Sequence, residues 1–442
     1  MGEPLHAKLL GTFRRWILDP RFQRRIALFV VLALSAALVV RGLREGRVQE
    51  GGRSNDFSAY HAAARAVLSG DLGPAYQATP RPYQYPPTLA VLIAPLGLLP
   101  LEAAAVLWTL GNLAILIFSL RALKEALGPP TAPLDAVFAL ALSYRMFESD
   151  FAQGNANTLV LGLIVWGFLV LRRGKSLLGG AILGIAAAVK VTPLFLLVWM
   201  ILRRRWDGAA GGIAGLVLAA VVLPALVLGP GPWVRSMEAF YGSTLRPLDV
   251  TGDGYRGEAP GGYLPGQSIR ALLHRLLRAT DATAHDEAMV MVNIVDLPKG
   301  AVDLAWMACA ALVVGGLLWR FRSSGPHWSG PEIGALLAAM VLLAPLSRKA
   351  HFVVLLPAAA AGFSAIRLAC GRRRRLGLWL WWGAFALVAF TAPGFLGRSL
   401  STWLLAFCPF GLAALCLAIL CAAAGFSRPS PGIGPGCRRS AG

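Results

Sequence analysis

Short arginine clusters set between long apolar runs constrain this chain more than any other feature. "LRRGK" (Leu171 to Lys175), "LRRRW" (Leu202 to Trp206), "WRFR" (Trp319 to Arg322) and "GRRRR" (Gly371 to Arg375) punctuate a sequence otherwise poor in charge. Apolar runs near bilayer length, bounded by Lys and Arg, describe a polytopic membrane protein, because helices satisfy their own backbone hydrogen bonds in hydrocarbon. Composition agrees: of 442 residues 56% are hydrophobic and 14% charged, and mean hydropathy is +0.61. The formal net charge of +20 sits largely in such clusters, where it orients loops toward the cytoplasm. No nucleic-acid partner is therefore expected, whereas membrane lipids are. The six cysteines show no spacing of a disulfide framework or a zinc site and read as core filler.

Placing every basic cluster on the cytoplasmic side fixes the threading by parity. The run Ile26 to Val40 follows several arginines and lacks a small-residue cleavage site, so it is expected to remain as the first span. Two clusters on one side require an even number of crossings between them, so Ser176 to Arg203 must hold two short helices folding back near "VKVTP", with Pro193 starting the second. The proline-bounded run "YPPTLAVLIAPLGLLP" (Tyr85 to Pro100) is expected to dip into the outer leaflet without crossing. The expected fold is all-α, with about twelve transmembrane helices by hydropathy and parity. A single domain spans residues 1–425, with outward segments near 42–83 and 229–300, and a Pro/Gly/Ser-rich tail at 426–442 is expected to be disordered and cytoplasmic.

Ionisable groups at membrane depth are costly, and here they gather at outward ends. In chain order they are Asp56, His61, Tyr83 and Tyr85; then Asp150, Gln153 and Asn155 in "SDFAQGNAN"; Lys190 in "AVKVTP"; Gln267 and Ser268 in "PGQS"; and Arg348, Lys349 and His351 in "PLSRKAHF". Each has an ordinary reading: a helix cap for Asp56, a snorkelling end for Lys190, polar turns for "QGNAN" and "SRKAH". Their convergence on one face carries the functional reading, since several cations beside one acid suit an anionic leaving group and a nucleophile that must lose a proton. The Ala- and Leu-rich stretch after Asp56 runs to Gly70 as a helix, with Asp56 at its start and Tyr60 one turn on, offering its ring to a sugar or acceptor.

The ordered set of an acid after the first span, "YQYPP", "QGNAN", "AAAVKVTPLFLL", "GQS" and "APLSRKAHFVVLLP" resembles the polyprenyl-phosphate-sugar-dependent glycosyltransferases of family 87, bacterial membrane mannosyltransferases of GT-C fold. The likeness runs from about Asp56 to about Pro357. It implies a hexose donor, with mannose expected, carried on an isoprenoid phosphate, a lipid or glycan acceptor, inversion at the anomeric carbon, and an outward-facing site in the bacterial inner membrane. By position Asp56 matches the general base, while Lys190 and His351 match residues near the donor phosphate. Arg348 and Lys349 join that cationic set, and Tyr60, His61, Tyr83, Tyr85, Gln153, Asn155, Gln267 and Ser268 form the substrate-binding set. The chain departs from the family pattern at Gly266, where Asn is common, and in "SRKAH", where an aromatic or His often precedes the last His.

Single displacement needs one carboxylate for the acceptor proton and positive charge where the phosphate departs, and the residues supply both. A retaining mechanism would need a second carboxylate about 5 Å away, for which Asp150 is the candidate. No metal or cofactor is expected, because Lys and Arg can meet the few charges of a polyprenyl phosphate. Two other classes stay open on sequence: a lipid or glycan transporter, disfavoured by rim-placed charges and the lack of an internal repeat, and another enzyme of polyprenyl phosphates, such as a phosphatase using His351.

Overall fold

The computed structural model describes residues 20–46, 55–79, 81–128, 132–249, 261–282, 290–323 and 328–424. The tail at 426–442 and the middle of the second outward segment lie outside the described residues. Among the described residues the regular structure is helical apart from one isolated bridge between Gly266 and Arg348. Helix α1 (Pro20–Gly46) is followed by α2 (Asp56–Leu68), the short α3 (Pro87–Leu92) and the long α4 (Leu101–Leu127). Brief turns then connect α5 (Pro133–Gln153), α6 (Asn157–Arg172), α7 (Ser176–Val189) and α8 (Leu194–Leu202). Helix α9 (Trp206–Val217) continues through a π-turn into α10 (Leu223–Leu228). The stretch 229–300 holds α11 (Pro230–Phe240) and α12 (Ile269–Leu277), and α13 (Lys299–Phe321), α14 (Gly330–Leu343), α15 (Leu356–Leu368), α16 (Gly371–Ala389), α17 (Pro393–Leu405) and α18 (Pro409–Ala424) follow.

Among the described residues, four stretches are long and apolar enough to cross a membrane: Leu101–Leu127, Trp206–Leu228, Lys299–Phe321 and Lys349–Leu368. A fifth is added if α16 and α17, bent by 89° at their break, count as one span. Length and composition therefore account for fewer than half of the roughly twelve crossings expected from parity. The other apolar helices, including α6, α7, α14 and α18, are shorter. Two local expectations hold. Helix α7 ends at Val189 and Pro193 caps α8, making the fold-back at "VKVTP". The run from Tyr85 forms only six residues of α-helix and a 3-10 turn at Ala94–Leu98, too short to cross. One expectation fails: Cys370 is disulfide-bonded rather than filler.

Glycine sets two of the packings that shape the bundle. Helices α7 and α9 run side by side with Gly180 against Gly208 and Gly184 against Gly212, where an added Cβ would come within 2.0 Å of the facing carbonyl. Small residues at this spacing let backbones approach closely where no hydrophobic force between helices operates. At the other end, Gly154 has φ +63 and its Cβ would meet Phe57 at 2.7 Å. That close approach docks α2 onto the end of α5, helped by the Phe57–Trp108 stack at 5.5 Å and by Trp108 Nε1 donating to the Gly154 carbonyl at 2.9 Å.

Candidate active site

Asp56 opens α2, with Asn55 as N-cap accepting from the Ser58 amide at 3.3 Å, and Gly70, at φ +83, follows the Ser69 C-cap. At a helix N-terminus the carboxylate meets the positive end of the dipole. Two guanidiniums complete its surroundings: Arg81 Nη1 at 2.8 Å from Oδ1 and Arg348 Nη2 at 3.1 Å from Oδ2. Its side chain keeps 13% exposure. Tyr60, four residues on, shares the face of Asp56 and donates to Asn155 Oδ1 at 3.3 Å, while Asn155 donates to Gln153 Oε1 at 3.1 Å. Tyr60 stands edge-on to Tyr85 at 5.1 Å and to Tyr83 at 6.2 Å, and Tyr76 lies 5.3 Å from Tyr83. Burial holds all four phenols well above their ordinary range, so they stay neutral and serve as walls and donors.

Asp150 is 1% exposed and fully engaged. It accepts from Asn157 Nδ2 at 2.7 Å, the Thr158 amide at 3.1 Å and Thr158 Oγ1 at 2.6 Å. It thus ties the end of α5 to the first turn of α6. Lys190 reaches the same group by donating to Asn157 Oδ1, and its ammonium lies 5.4 Å from the centre of the Tyr85 ring.

Arg348 stands between two cavities. One, of about 120 Å³ and mostly apolar, is lined by Lys190, Tyr85, Phe240, Leu346, Arg348 and His351. The Nδ1 of His351 is buried without a hydrogen-bond partner among the described residues. The other, of about 290 Å³, is lined by Arg145, Gln153, Gln267, Arg348, Lys349 and Phe410. The wall between them is fixed from the stretch 261–275. Gly266 bridges Arg348 and the Gln267 amide donates to the Ser347 carbonyl at 2.6 Å. Behind it, the fully buried Arg275 donates to the carbonyls of Gly261, Tyr263 and Gly266 at 2.8, 2.8 and 2.9 Å, and to that of Ala406 at 3.2 Å.

A family model, glycosyltransferase family 87, matches residues 83–346, more than half of the chain. The chain belongs to glycosyltransferase family 87. It is 30% identical over 285 residues to a polyprenol-phosphate-mannose-dependent alpha-(1-2)-phosphatidylinositol pentamannoside mannosyltransferase of Mycobacterium tuberculosis, covering 63% of this chain and 57% of that relative. A protein of the same description from Mycolicibacterium smegmatis is 26% identical over 348 residues, or 76% of this chain and 75% of the relative. Among solved structures, ArnT from Cupriavidus metallidurans in the apo state aligns over 90% of this chain and 78% of its own, at 14% identity and a TM-score of 0.41.

The glycosyltransferase brings most of the sequence-derived residues together, but divides their roles. Lys190, His351, Arg348 and Tyr85 share the apolar cavity, whereas Lys349 leaves its expected place in the donor set and lines the other cavity with Gln153 and Gln267. Tyr83 is wholly buried, donating to the Pro86 carbonyl at 3.0 Å, and supports Tyr85 from behind. His61, five residues after Asp56, lies about 140° round the helix and binds the Leu99 carbonyl at 2.9 Å, fixing the entry to α4. Ser268 is the N-cap of α12, accepting from the Ala271 amide at 3.3 Å. Asn155 acts through Tyr60. Two residues of the candidate site escaped the sequence reading. Arg81 lies in a loop whose partner cannot be inferred from spacing, and Arg145 sits inside α5, where an ionisable residue in an apolar helix was a usable signal.

Proposed function

We propose that this glycosyltransferase moves a hexose, mannose, from a polyprenyl-phosphate sugar to a lipid or glycan acceptor on the outer face of a bacterial inner membrane, with inversion and with Asp56 as general base. The observation that carries this reading is Arg348, which contacts Asp56 at 3.1 Å and lines both cavities. A group leaving in one cavity and a hydroxyl arriving in the other would meet beside the same carboxylate. The apolar cavity, with Lys190, Arg348 and His351 on its wall, suits the donor phosphate and the first isoprene units. The cavity with Lys349, Arg145, Gln153 and Gln267 suits a polar acceptor. Names of relatives support the donor class and the sugar.

On this reading the acceptor hydroxyl displaces one guanidinium from Asp56 and gives its proton to the carboxylate as its oxygen bonds to the anomeric carbon. The bond from that carbon to the phosphate oxygen breaks at the same time, and the electron pair leaves on polyprenyl phosphate facing Arg348 and Lys190. One available acid and one engaged acid favour single displacement, since Asp150 is committed to Asn157 and Thr158. A GT-C arrangement with about twelve crossings and the Asp56 loop outward completes the proposal. Purified protein incubated with radiolabelled polyprenyl-phosphate-mannose and a lipid extract of the source cell should give a labelled lipid or glycan of inverted anomeric configuration. Absence of any transfer from this donor would overturn the donor assignment. A cysteine placed in the Asp56 loop that proved inaccessible to outside labelling would overturn the topology.

A further inference from the structure

At the end of the bundle remote from Asp56 lies a larger cavity, of about 880 Å³. Helix α6 runs from Asn157, near Lys190, to Arg172 at this cavity, a separation of about 24 Å for its 16 residues. Five arginines line it, Arg172, Arg203, Arg204, Arg205 and Arg322, against one acid, Asp207. Loop arginines usually project into water, but Arg205 is held in place. Its side chain is 10% exposed, its Nη2 pairs with the fully buried Glu332 at 3.0 Å, and its guanidinium stacks 3.8 Å from the Trp328 ring. Its Nη1 is buried and has no partner among the described residues. The Glu332 pair and the Trp328 ring thus hold the Arg205 guanidinium rigidly in the cavity wall.

Backbone donors point to the same place. The parallel packing of α7 and α9 through Gly180, Gly184, Gly208 and Gly212 sets the two helix starts side by side, and first-turn residues Ser176, Trp206, Asp207 and Gly208 line the cavity. Neither N-cap, Lys175 nor Arg205, makes a side-chain capping bond. Two dipoles thus present their positive ends and uncapped amides to one space. Arg204 sits there at φ 54, a conformation unfavourable for a side-chain-bearing residue. Beside the cavity, Leu177, Leu178 and Trp206 are 61%, 52% and 61% exposed, as expected of a surface meeting acyl chains rather than water.

We infer that this cavity binds the phosphate headgroup of an anionic phospholipid from the cytoplasmic leaflet, with its acyl chains along the exposed apolar residues of α7 and α9. The site is separate from the transfer site and needs no part of its chemistry. Basic pockets between helices on the cytoplasmic side are suited to such headgroups, and two or more guanidiniums with two helix starts give a fixed set of donors for phosphate oxygens. Apolar contact favours a lipid over free phosphate as the occupant.

The full chain, reconstituted in nanodiscs of dioleoyl phosphatidylcholine and dioleoyl phosphatidylglycerol, tests this by native mass spectrometry of retained lipid. Phosphatidylglycerol should be retained over phosphatidylcholine by about tenfold, the equivalent of one good charge-assisted bond. The Arg204→Gly, Arg322→Gln double variant changes two exposed residues and relieves the backbone at 204, so it should fold, and its preference should drop below about threefold. Arg205→Lys keeps a cation for Glu332 but loses the planar guanidinium stacked on Trp328, and should fall between the two. Unchanged preference in the double variant overturns the site. So does displacement of the lipid by millimolar inorganic phosphate, which would make the occupant a soluble anion.

Discussion

The two ends of the bundle are both rich in cations, yet they are built differently. At the Asp56 end, charge is balanced locally: Arg81 and Arg348 face one carboxylate, Lys190 faces the Asn157–Asp150 pair, and the cavities are about 120 and 290 Å³. At the opposite end five arginines surround about 880 Å³ with a single aspartate. An arrangement poised for reaction keeps each cation close to an acid it can exchange for substrate. An arrangement for retention leaves donors open. In sequence, "SRKAH" and "LRRRW" are both short basic clusters at helix ends, so the distinction lies in what the fold places opposite them.

The comparison is broken most severely at Asp56. Asp56→Asn keeps the shape but gives up the negative charge facing Arg81 and Arg348 and removes the proton acceptor, and turnover should fall at least about a hundredfold while donor binding persists. Wild-type turnover in that variant would leave Asp56 as a helix cap held by two arginines. By contrast Arg322→Gln, at the other end, should leave transfer rates within about twofold, because exposed loop cations contribute little locally.

Next in size is Lys190→Ala, expected to weaken use of the donor by about 2 kcal/mol, or roughly thirtyfold in kcat/KM, for a lost charge-assisted bond at a half-buried position. Kinetics indistinguishable from wild type would assign Lys190 to the Asn157–Asp150 clamp alone. A smaller and purely structural effect is expected at Gly154, whose φ of +63 and 2.7 Å approach to Phe57 exclude a side chain. Gly154→Ala should cost about 1 to 2 kcal/mol of stability, seen as a lowered Tm, and should loosen the Asp56 helix. If Tm does not move, the contact between α2 and α5 is softer than drawn.

The smallest effect sharpens the comparison through pH. Burial holds His274 below its ordinary value of 6.5, against the raising influence of Asp303 at 3.0 Å. The native segment therefore keeps this histidine neutral while the unfolded chain takes up a proton as pH falls through 6.5. Stability is expected to be full above that pH and to decline gradually below it, measured as Tm against pH, with the dependence reduced in His274→Gln. A Tm rising on acidification would reverse the assignment.

Much of the site was legible because its signals are local or depend on ordering along the chain. Asp56 as a helix start and Tyr60 on its face follow from spacing on a helix, and the fold-back at "VKVTP" follows from parity and Pro193. The family motifs in order pointed to a glycosyltransferase, which the match over residues 83–346 bears out. The backbone partners of His61 and Ser268 were not legible. Polar residues near a site compete for backbone groups, and the Leu99 carbonyl and Ala271 amide that they bind are set by the local fold.

By itself, then, the sequence determined that the chain is a helical membrane protein, which end of each helix is basic, and where a carboxylate meets cations, because hydropathy, charge and helical spacing are properties of the linear chain. Tertiary structure alone decided that Arg348 reaches Asp56 and divides two cavities while Lys349 serves only one, and that Arg205 is held by Glu332 and Trp328. Those outcomes depend on which side chains meet across 100 or more residues. Close glycine packing and buried hydrogen bonds set those meetings, and neither leaves a periodic trace in sequence.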